Sequence, residues 1–158
     1  MSQSTTTDRI RKQVVLRAPL ERVWRAVSDA KTFGRWFGFD FEGEFVPGET
    51  ARGRLRSDDP GYNGLIGEFA IERIEPMRLF SYRWHPYAVD RSADYSHEPM
   101  TLVVFELEAV AGGTKLTITE SGFDAIPPAR RSDAYEANGE GWTTQVERIE
   151  KYLAQTSA

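Results

Sequence analysis

Glu120 combines a residue type and a position that are suited to chemistry. It lies in the segment 114–121, where Leu116 and Ile118 precede it at intervals of two. Residues two apart share one face of a β-strand, so a regular strand would turn the Glu120 carboxylate inward. A carboxylate on an apolar face must be paired, hydrogen-bonded or neutralised, which would make it a general base or a polar anchor for a ligand. The alternative is that Glu120 lies at the strand end, at the rim, in water.

Two histidines flank a long connecting segment, residues 85–99, with the sequence HPYAVDRSADYSHEP. A connection of this length is usually functional or disordered. Asp90 and Asp94 lie between His85 and His97, but the spacing matches no established metal-ligand pattern, so no metal is expected. His85, beside Tyr87, is instead a candidate lid contact.

Arg52, Arg54 and Arg56 alternate along one predicted strand. They would form either a cationic stripe for an anionic ligand or, as is commoner for such a row, the solvated face of a sheet.

The sequence lacks the residues that several kinds of catalytic or binding site require. The chain has no cysteine, which removes disulfides, thiolate catalysis and cysteine metal sites. No serine stands in a G-x-S-x-G elbow, and there is no glycine-rich phosphate loop. We therefore predict no catalytic residue, cofactor or metal, and enzymatic activity stays open.

Length and composition predict one globular domain. The chain has 158 residues, of which 40% are hydrophobic and 28% charged. The net charge of −4 gives no electrostatic reason to expect nucleic acid or an anionic membrane as a partner. The sequence has no apolar run of membrane-spanning length and no apolar core of a signal peptide, so we expect a cytoplasmic protein.

The hydrophobic periodicity predicts a strand, two short helices, six strands and one long helix. Residues 1–9 are expected to be a disordered tail, and residues 10–155 a single domain. Asp29 is the expected N-cap of the second helix. Short turns between successive strands imply an antiparallel sheet. The predicted strands are 10–17, 39–45, 50–57, 65–74, 79–84, 101–108 and 114–121, with helices near 20–29, 30–36 and from about 128.

An ordered set of segments resembles the START-like (helix-grip, SRPBCC) superfamily. Within it, the chain looks like the family named after the activator of Hsp90 ATPase homologue 1. The matching segments are APLERVWRAVSD, KTFGRWFG, GEFAIERIEPMRLFSYRW, GGTKLTITESGF and NGEGWTTQVERIEKYL. The resemblance implies an α+β helix-grip fold: a curved antiparallel sheet of six to seven strands wraps a long C-terminal helix, and two short helices follow the first strand. It also implies a cavity between sheet and helix.

Strand parity and helix spacing place an aromatic-rich set of side chains toward that cavity, although the same side chains would equally form a filled core. Asn138 and Tyr135 precede Trp142 by four and seven residues, on one helix face. Gly139 and Gly141 would let the helix bend or thin there for a ligand or for sheet residues; alternatively they mark a kink between two helical pieces. The predicted ligand-binding residues are Trp36, Phe37, Phe80, Tyr82, Trp84, His85, Phe105, Leu107, Ile118, Glu120, Phe123, Tyr135, Asn138, Trp142 and Val146.

The favoured function is binding of a small hydrophobic or aromatic molecule by a monomer or homodimer. One alternative is a cyclase-like or hydrolase-like enzyme that uses Glu120, Tyr82 and His85 as its acid–base set. The other is a chaperone-associated interaction module, as the family name implies, although the chain shows only the START-like domain.

Overall fold

A seven-stranded antiparallel sheet and a long C-terminal helix make up the computed structural model, which describes residues 8–90 and 92–155. Neighbouring strands follow the order β1-β7-β6-β5-β4-β3-β2, so β1 and β2 form the two edges. The elements are β1 (Arg9–Leu16), α1 (Leu20–Ser28), α2 (Ala30–Phe37), β2 (Phe39–Phe41), β3 (Thr50–Leu55), β4 (Ile66–Glu75), β5 (Leu79–Trp84), β6 (Thr101–Val110), β7 (Gly113–Ser121) and α3 (Pro128–Gln155).

This element order confirms the predicted helix-grip arrangement. The boundaries agree with the predicted ones to within two residues, except at the end of β2. β1 begins at Arg9, one residue earlier than predicted, and residues 1–7 of the expected tail lie outside the described residues. β2 ends at Phe41, whereas the predicted strand reached Phe45. Phe45 is nevertheless buried, because its ring packs in a stacked arrangement on Phe80 at 5.1 Å.

Aromatic side chains fill the centre of the molecule. The inward residues of β5, Phe80 and Tyr82, are fully buried, as is Phe105 of β6. Phe33 of α2 packs edge-on against Phe80 and Phe105, with ring centroids about 6 Å apart. Burial of such large apolar surfaces stabilises the fold, at roughly 25 cal/mol per Å² removed from water. The part of the interior beneath α2 is thus a packed core.

The junction of α2 and β2 is tight, and it brings Phe37 and Phe39 together. Gly38 ends α2 in the left-handed region, with φ of 98°, which favours glycine. A Cβ atom on Gly34 would lie 2.2 Å from the carbonyl oxygen of Phe39, so only glycine permits this approach. The Phe37 and Phe39 rings consequently lie 5.7 Å apart.

Asp29 caps the start of α2, as predicted. Its carboxylate accepts hydrogen bonds from the backbone N–H and the hydroxyl of Thr32, at 3.0 and 2.6 Å. These bonds, that of the hydroxyl first, lower the pKa of Asp29 below its ordinary value.

The helix α3 runs without interruption from Pro128 to Gln155, so Gly139 and Gly141 lie within one helix and do not separate two helical pieces. Trp142, Ile149 and Leu153 form its buried side. Within the described residues, no helix is both long and apolar enough to cross a membrane.

Candidate functional site

Glu120 lies at the centre of a buried hydrogen-bond network. Its side chain is fully buried, so the rim alternative is wrong and the inward orientation is confirmed. Oε1 accepts hydrogen bonds from Trp142 Nε1 at 2.7 Å and from Asn138 Nδ2 at 2.9 Å. Oε2 accepts from Trp84 Nε1 at 2.7 Å, from Thr101 Oγ1 at 2.6 Å and, more weakly, from Asn138 Nδ2 at 3.1 Å.

The sheet register and the helix position supply these four donors. Glu120 of β7 pairs with Val103 of β6, two residues after Thr101, and Thr101 pairs in turn with Trp84 of β5. Asn138 and Trp142 are four residues apart on α3, so one helix face carries both of them over the carboxylate.

All four donors are neutral. Indole and amide N–H groups can only donate, so this set matches a carboxylate whose oxygens only accept. These donors would stabilise a charged carboxylate by hydrogen bonds, without a cationic partner. The pKa of Tyr82 is raised well above its ordinary value, first by burial and then by the nearby Glu120 carboxylate.

A cavity of about 570 Å³ lies beside this network, between α3, the start of β4 and the segment 85–96. Trp84, Asn138 and Trp142 belong both to its lining and to the donors that hold Glu120. Because their N–H groups point to the carboxylate, the two tryptophans are oriented by it. The Trp84 and Trp142 rings lie 5.9 Å apart, with Phe37 5.9 and 5.8 Å from them.

The segment 85–98, which covers one side of the cavity, is held to α3 by Arg130. The guanidinium donates to Glu98 Oε1 at 2.8 and 3.1 Å, to the carbonyl oxygen of Pro86 at 3.0 Å and to that of Tyr87 at 3.0 Å. It also lies over the Tyr95 ring, 4.7 Å from its centroid. The Arg130 and Glu98 side chains are only 19% and 20% exposed, so solvent screens this pair less than a surface ion pair.

The structure places five of the fifteen predicted site residues on the cavity lining: Phe37, Trp84, His85, Asn138 and Trp142. Glu120 lies directly behind three of them. The others lie elsewhere, in the core or along α3: Trp36, Phe80, Tyr82, Phe105, Leu107, Ile118, Phe123, Tyr135 and Val146. Tyr135, for example, packs edge-on against Phe123 at 5.3 Å, and its hydroxyl donates to the Arg9 carbonyl oxygen.

The hypothetical acid–base set does not meet at the cavity. Glu120 and Tyr82 are both fully buried and absent from its lining. The Tyr82 hydroxyl has no hydrogen-bond partner among the described residues. His85 does line the cavity, and its Nε2 donates to the Glu98 carbonyl oxygen at 3.1 Å. This bond joins the two ends of the covering segment, and the role of His85 as a lid contact stays a prediction.

The arginine row lies on the exposed face of β3 and just beyond its end. Arg52 pairs with Glu68 at 3.7 Å, and Arg56 pairs with Asp40. The solvated-face interpretation therefore fits the row better than an anion site, although Arg52 and Glu68 both border the cavity. Within the described residues, no cluster of three metal-ligating side chains is present.

Sequence reasoning missed the wall of the cavity that β3, β4 and the long segment provide. The length of that segment was the available signal, and only His85 was drawn from it. The lining residues outside the predicted set are Phe39, Arg52, Leu55, Leu65, Ile66, Gly67, Glu68, Tyr87, Ala88, Val89, Asp90, Ala93, Asp94, Tyr95, Ser96, Gly141 and Gln145.

A comparison of sequence profiles identifies the family. The profile described as "Activator of Hsp90 ATPase homolog 1-like protein" matches residues 17–154. The chain belongs to this family. A search of proteins with curated functions finds no match to it.

Solved structures share the START-like fold of this activator of Hsp90 ATPase homolog 1-like chain. Protein MLL2253 from Mesorhizobium loti is 23% identical with a TM-score of 0.72, over 94% of this chain and 98% of that one. An Arthrobacter aurescens protein is 20% identical with a TM-score of 0.76, over 98% and 91%. DynU16, described as a protein in the dynemicin biosynthetic locus, is 26% identical with a TM-score of 0.70. The alignment with DynU16 covers 95% of this chain but 48% of DynU16, about half its length.

Proposed function

We propose that this protein binds a small hydrophobic or aromatic molecule in the cavity between the sheet and α3. One observation carries the proposal: the cavity of about 570 Å³ is walled by Trp84, Trp142 and Phe37, and a buried carboxylate fixes both tryptophans. Ligand sites typically occupy 300–1,000 Å³ and combine aromatic walls with a few placed polar groups. Asn138, His85 and Gln145 supply such polar groups here.

Native mass spectrometry of freshly purified protein, followed by extraction of any retained molecule, tests the proposal first. A stoichiometric apolar adduct would support it. A bare protein mass, together with no thermal shift from a library of aromatic and lipid compounds, would contradict it.

Gly141 offers a variant that fills the cavity without disturbing the core. It lines the cavity, and an added Cβ atom would meet nothing within 4 Å. We expect Gly141→Leu to abolish ligand binding while the melting temperature holds or rises, because glycine within a helix is roughly 0.5–1 kcal/mol less favourable than alanine.

Gly139→Ala is the matched control. Its Cβ would lie 4.0 Å from Ile10 Cδ1, an ordinary contact, and Gly139 is not on the cavity lining. It should gain a similar stability and keep the affinity. Isothermal titration and thermal melting of both variants would decide. Equal affinity in Gly141→Leu and Gly139→Ala would refute this location of the site.

The enzymatic and chaperone-associated alternatives, the single domain over 10–155 and the cytoplasmic location stay predictions. The dispersal of Glu120, Tyr82 and His85 argues against the acid–base set named above. A chaperone pull-down at fixed stoichiometry would test the interaction module, and cell fractionation would test the location.

A further inference from the structure

An ionised Glu120 carboxylate would act on the cavity from directly behind its wall. Trp84, Trp142 and Asn138 belong to the cavity lining, and each also donates a hydrogen bond to the carboxylate. Neutral donors spread this charge but do not cancel it. In a water-poor interior such a charge is screened far less than at the surface.

The described rim of the cavity is acidic as well. Glu68 is offset by its pairing with Arg52 at 3.7 Å, whereas Asp90 and Asp94 make no ion pair within the described chain. Asp90 accepts a hydrogen bond from the Ser92 N–H at 2.9 Å, and Asp94 accepts one from the Ser96 N–H at 2.9 Å. Arg91 lies outside the described residues, so the acidic character stated here is that of the described lining residues alone.

The walls themselves suit a cation. Aromatic faces attract positive charge through their quadrupole, and tryptophan does so most strongly. An anionic acceptor on the indole N–H adds to that negative potential at the faces of Trp84 and Trp142. The guanidinium of Arg130, which packs over Tyr95, already pairs with Glu98, so it leaves little net positive charge at this wall.

We propose that the cavity prefers aromatic molecules that carry a positive charge, such as an aryl ammonium, and discriminates against anionic ones. The buried Glu120 carboxylate behind two tryptophan walls, together with the acidic rim, carries this inference. It rests on the proposed binding function and adds the sign of the ligand's charge.

Three probes with one ring system separate charge from binding as such. They are naphthylmethyl-trimethylammonium, naphthylmethanesulfonate and the neutral naphthylmethanol, titrated into the intact protein by calorimetry at low and high salt. The ammonium and the sulfonate are similar in size but differ in hydration. That difference cancels when the ratio of their dissociation constants is compared between the wild type and the carboxylate variants, so the change in the ratio reports the sign of the cavity potential. We expect the ammonium to bind at least about tenfold tighter than the sulfonate.

Variants then divide the preference between the buried and the exposed carboxylates. Added salt and the double variant Asp90→Asn, Asp94→Asn should reduce the ratio by the rim contribution, because exposed charges are screened. Glu120→Gln should remove the part of the preference for the ammonium that persists at high salt. If Glu120→Gln does not fold, the wild-type series and the rim variant still decide the sign of the preference.

Two results would overturn the inference. If naphthylmethanol binds and the two charged probes bind equally, or the sulfonate binds tighter, the charge preference is wrong while the proposed function stands. If none of the three probes binds at millimolar concentration, the preference for aromatic cations is wrong, and the mass spectrometry and library screen described above decide the proposed function separately.

Discussion

Replacement of Glu120 by glutamine tests whether the carboxylate holds the two tryptophan walls together. Glutamine has nearly the same shape but only one acceptor oxygen. In one amide orientation Trp84 Nε1 faces an NH₂ group, and in the other Trp142 Nε1 does, where each now has an oxygen at 2.7 Å. Either way, at least one buried indole N–H loses its acceptor.

The size of the effect follows from these bonds. A buried donor left unsatisfied costs about 1–3 kcal/mol, and the surviving bonds lose their charge assistance, worth roughly another 1 kcal/mol or more. Relief from burying a charge offsets part of this. We therefore expect Glu120→Gln to lower the free energy of unfolding by about 2–4 kcal/mol. For a domain of this size the melting temperature should fall by roughly 5–15 °C.

Urea denaturation measures the loss, with Glu108→Gln as the matched control. The Glu108 side chain is 65% exposed and pairs with Lys115 Nζ at 3.1 Å. Exposed pairs of this kind contribute about 0–1 kcal/mol. If Glu120→Gln proves as stable as Glu108→Gln, the carboxylate does not hold the network and the reasoning is refuted.

The indole N–H resonances give a readout that a general loss of stability would not produce. The signals of Trp84 and Trp142 should move in Glu120→Gln, because their acceptor changes. The signal of Trp36, whose Nε1 donates to the Ala26 carbonyl oxygen at 2.8 Å, should stay in place. Movement of all three signals together would indicate a global rearrangement instead.

Two further predictions concern the covering segment and the buried phenol. Arg130→Ala should increase amide hydrogen exchange across residues 85–98 without a comparable change in the sheet, because it removes the bonds to Pro86, Tyr87 and Glu98; unchanged exchange there would show that other contacts hold the segment. Tyr82→Phe should be neutral or stabilising at pH 7, because it removes a buried hydroxyl that finds no hydrogen-bond partner in the part of the chain that the structure describes. The pKa of Tyr82 is higher in the folded than in the unfolded protein, so the folded protein holds this proton more tightly. The free energy of unfolding is therefore unaffected by this group below the unfolded pKa of about 10 and falls as the pH rises above it. Chemical denaturation between pH 9 and pH 11.5 should therefore show a shallower loss in Tyr82→Phe, and parallel profiles would refute this.

Much of the fold could be predicted from local pattern. Alternation placed Phe80, Tyr82 and Phe105 inward, and all three are buried. Asp29 was recognisable as an N-cap because the cap depends on a side chain three residues from the group it bonds, Thr32. Such features need only neighbours in sequence or the period of a strand.

The cavity depends on distant contacts, and therefore could not be located from pattern alone. Parity says that a side chain points inward, but not whether the space there is filled. The Phe33 ring of α2 fills it at the centre, against Phe80 and Phe105, and leaves it open toward the segment 85–96. The anchor of that segment, Arg130, lies 32 residues beyond Glu98. No local signal joins the two.

Glu120 shows where sequence reasoning reaches its limit. Parity turned it inward, and its place near the strand end equally allowed the rim. The hydrogen-bond donors decide between these two positions, and they lie 18 to 36 residues away from Glu120 along the chain. A buried carboxylate without them would be costly, so the network and the burial require each other. The same bonds turn the indole N–H groups of Trp84 and Trp142 away from the cavity. They leave a carboxylate behind an aromatic wall, an arrangement that core packing alone does not require and that a bound cation would use.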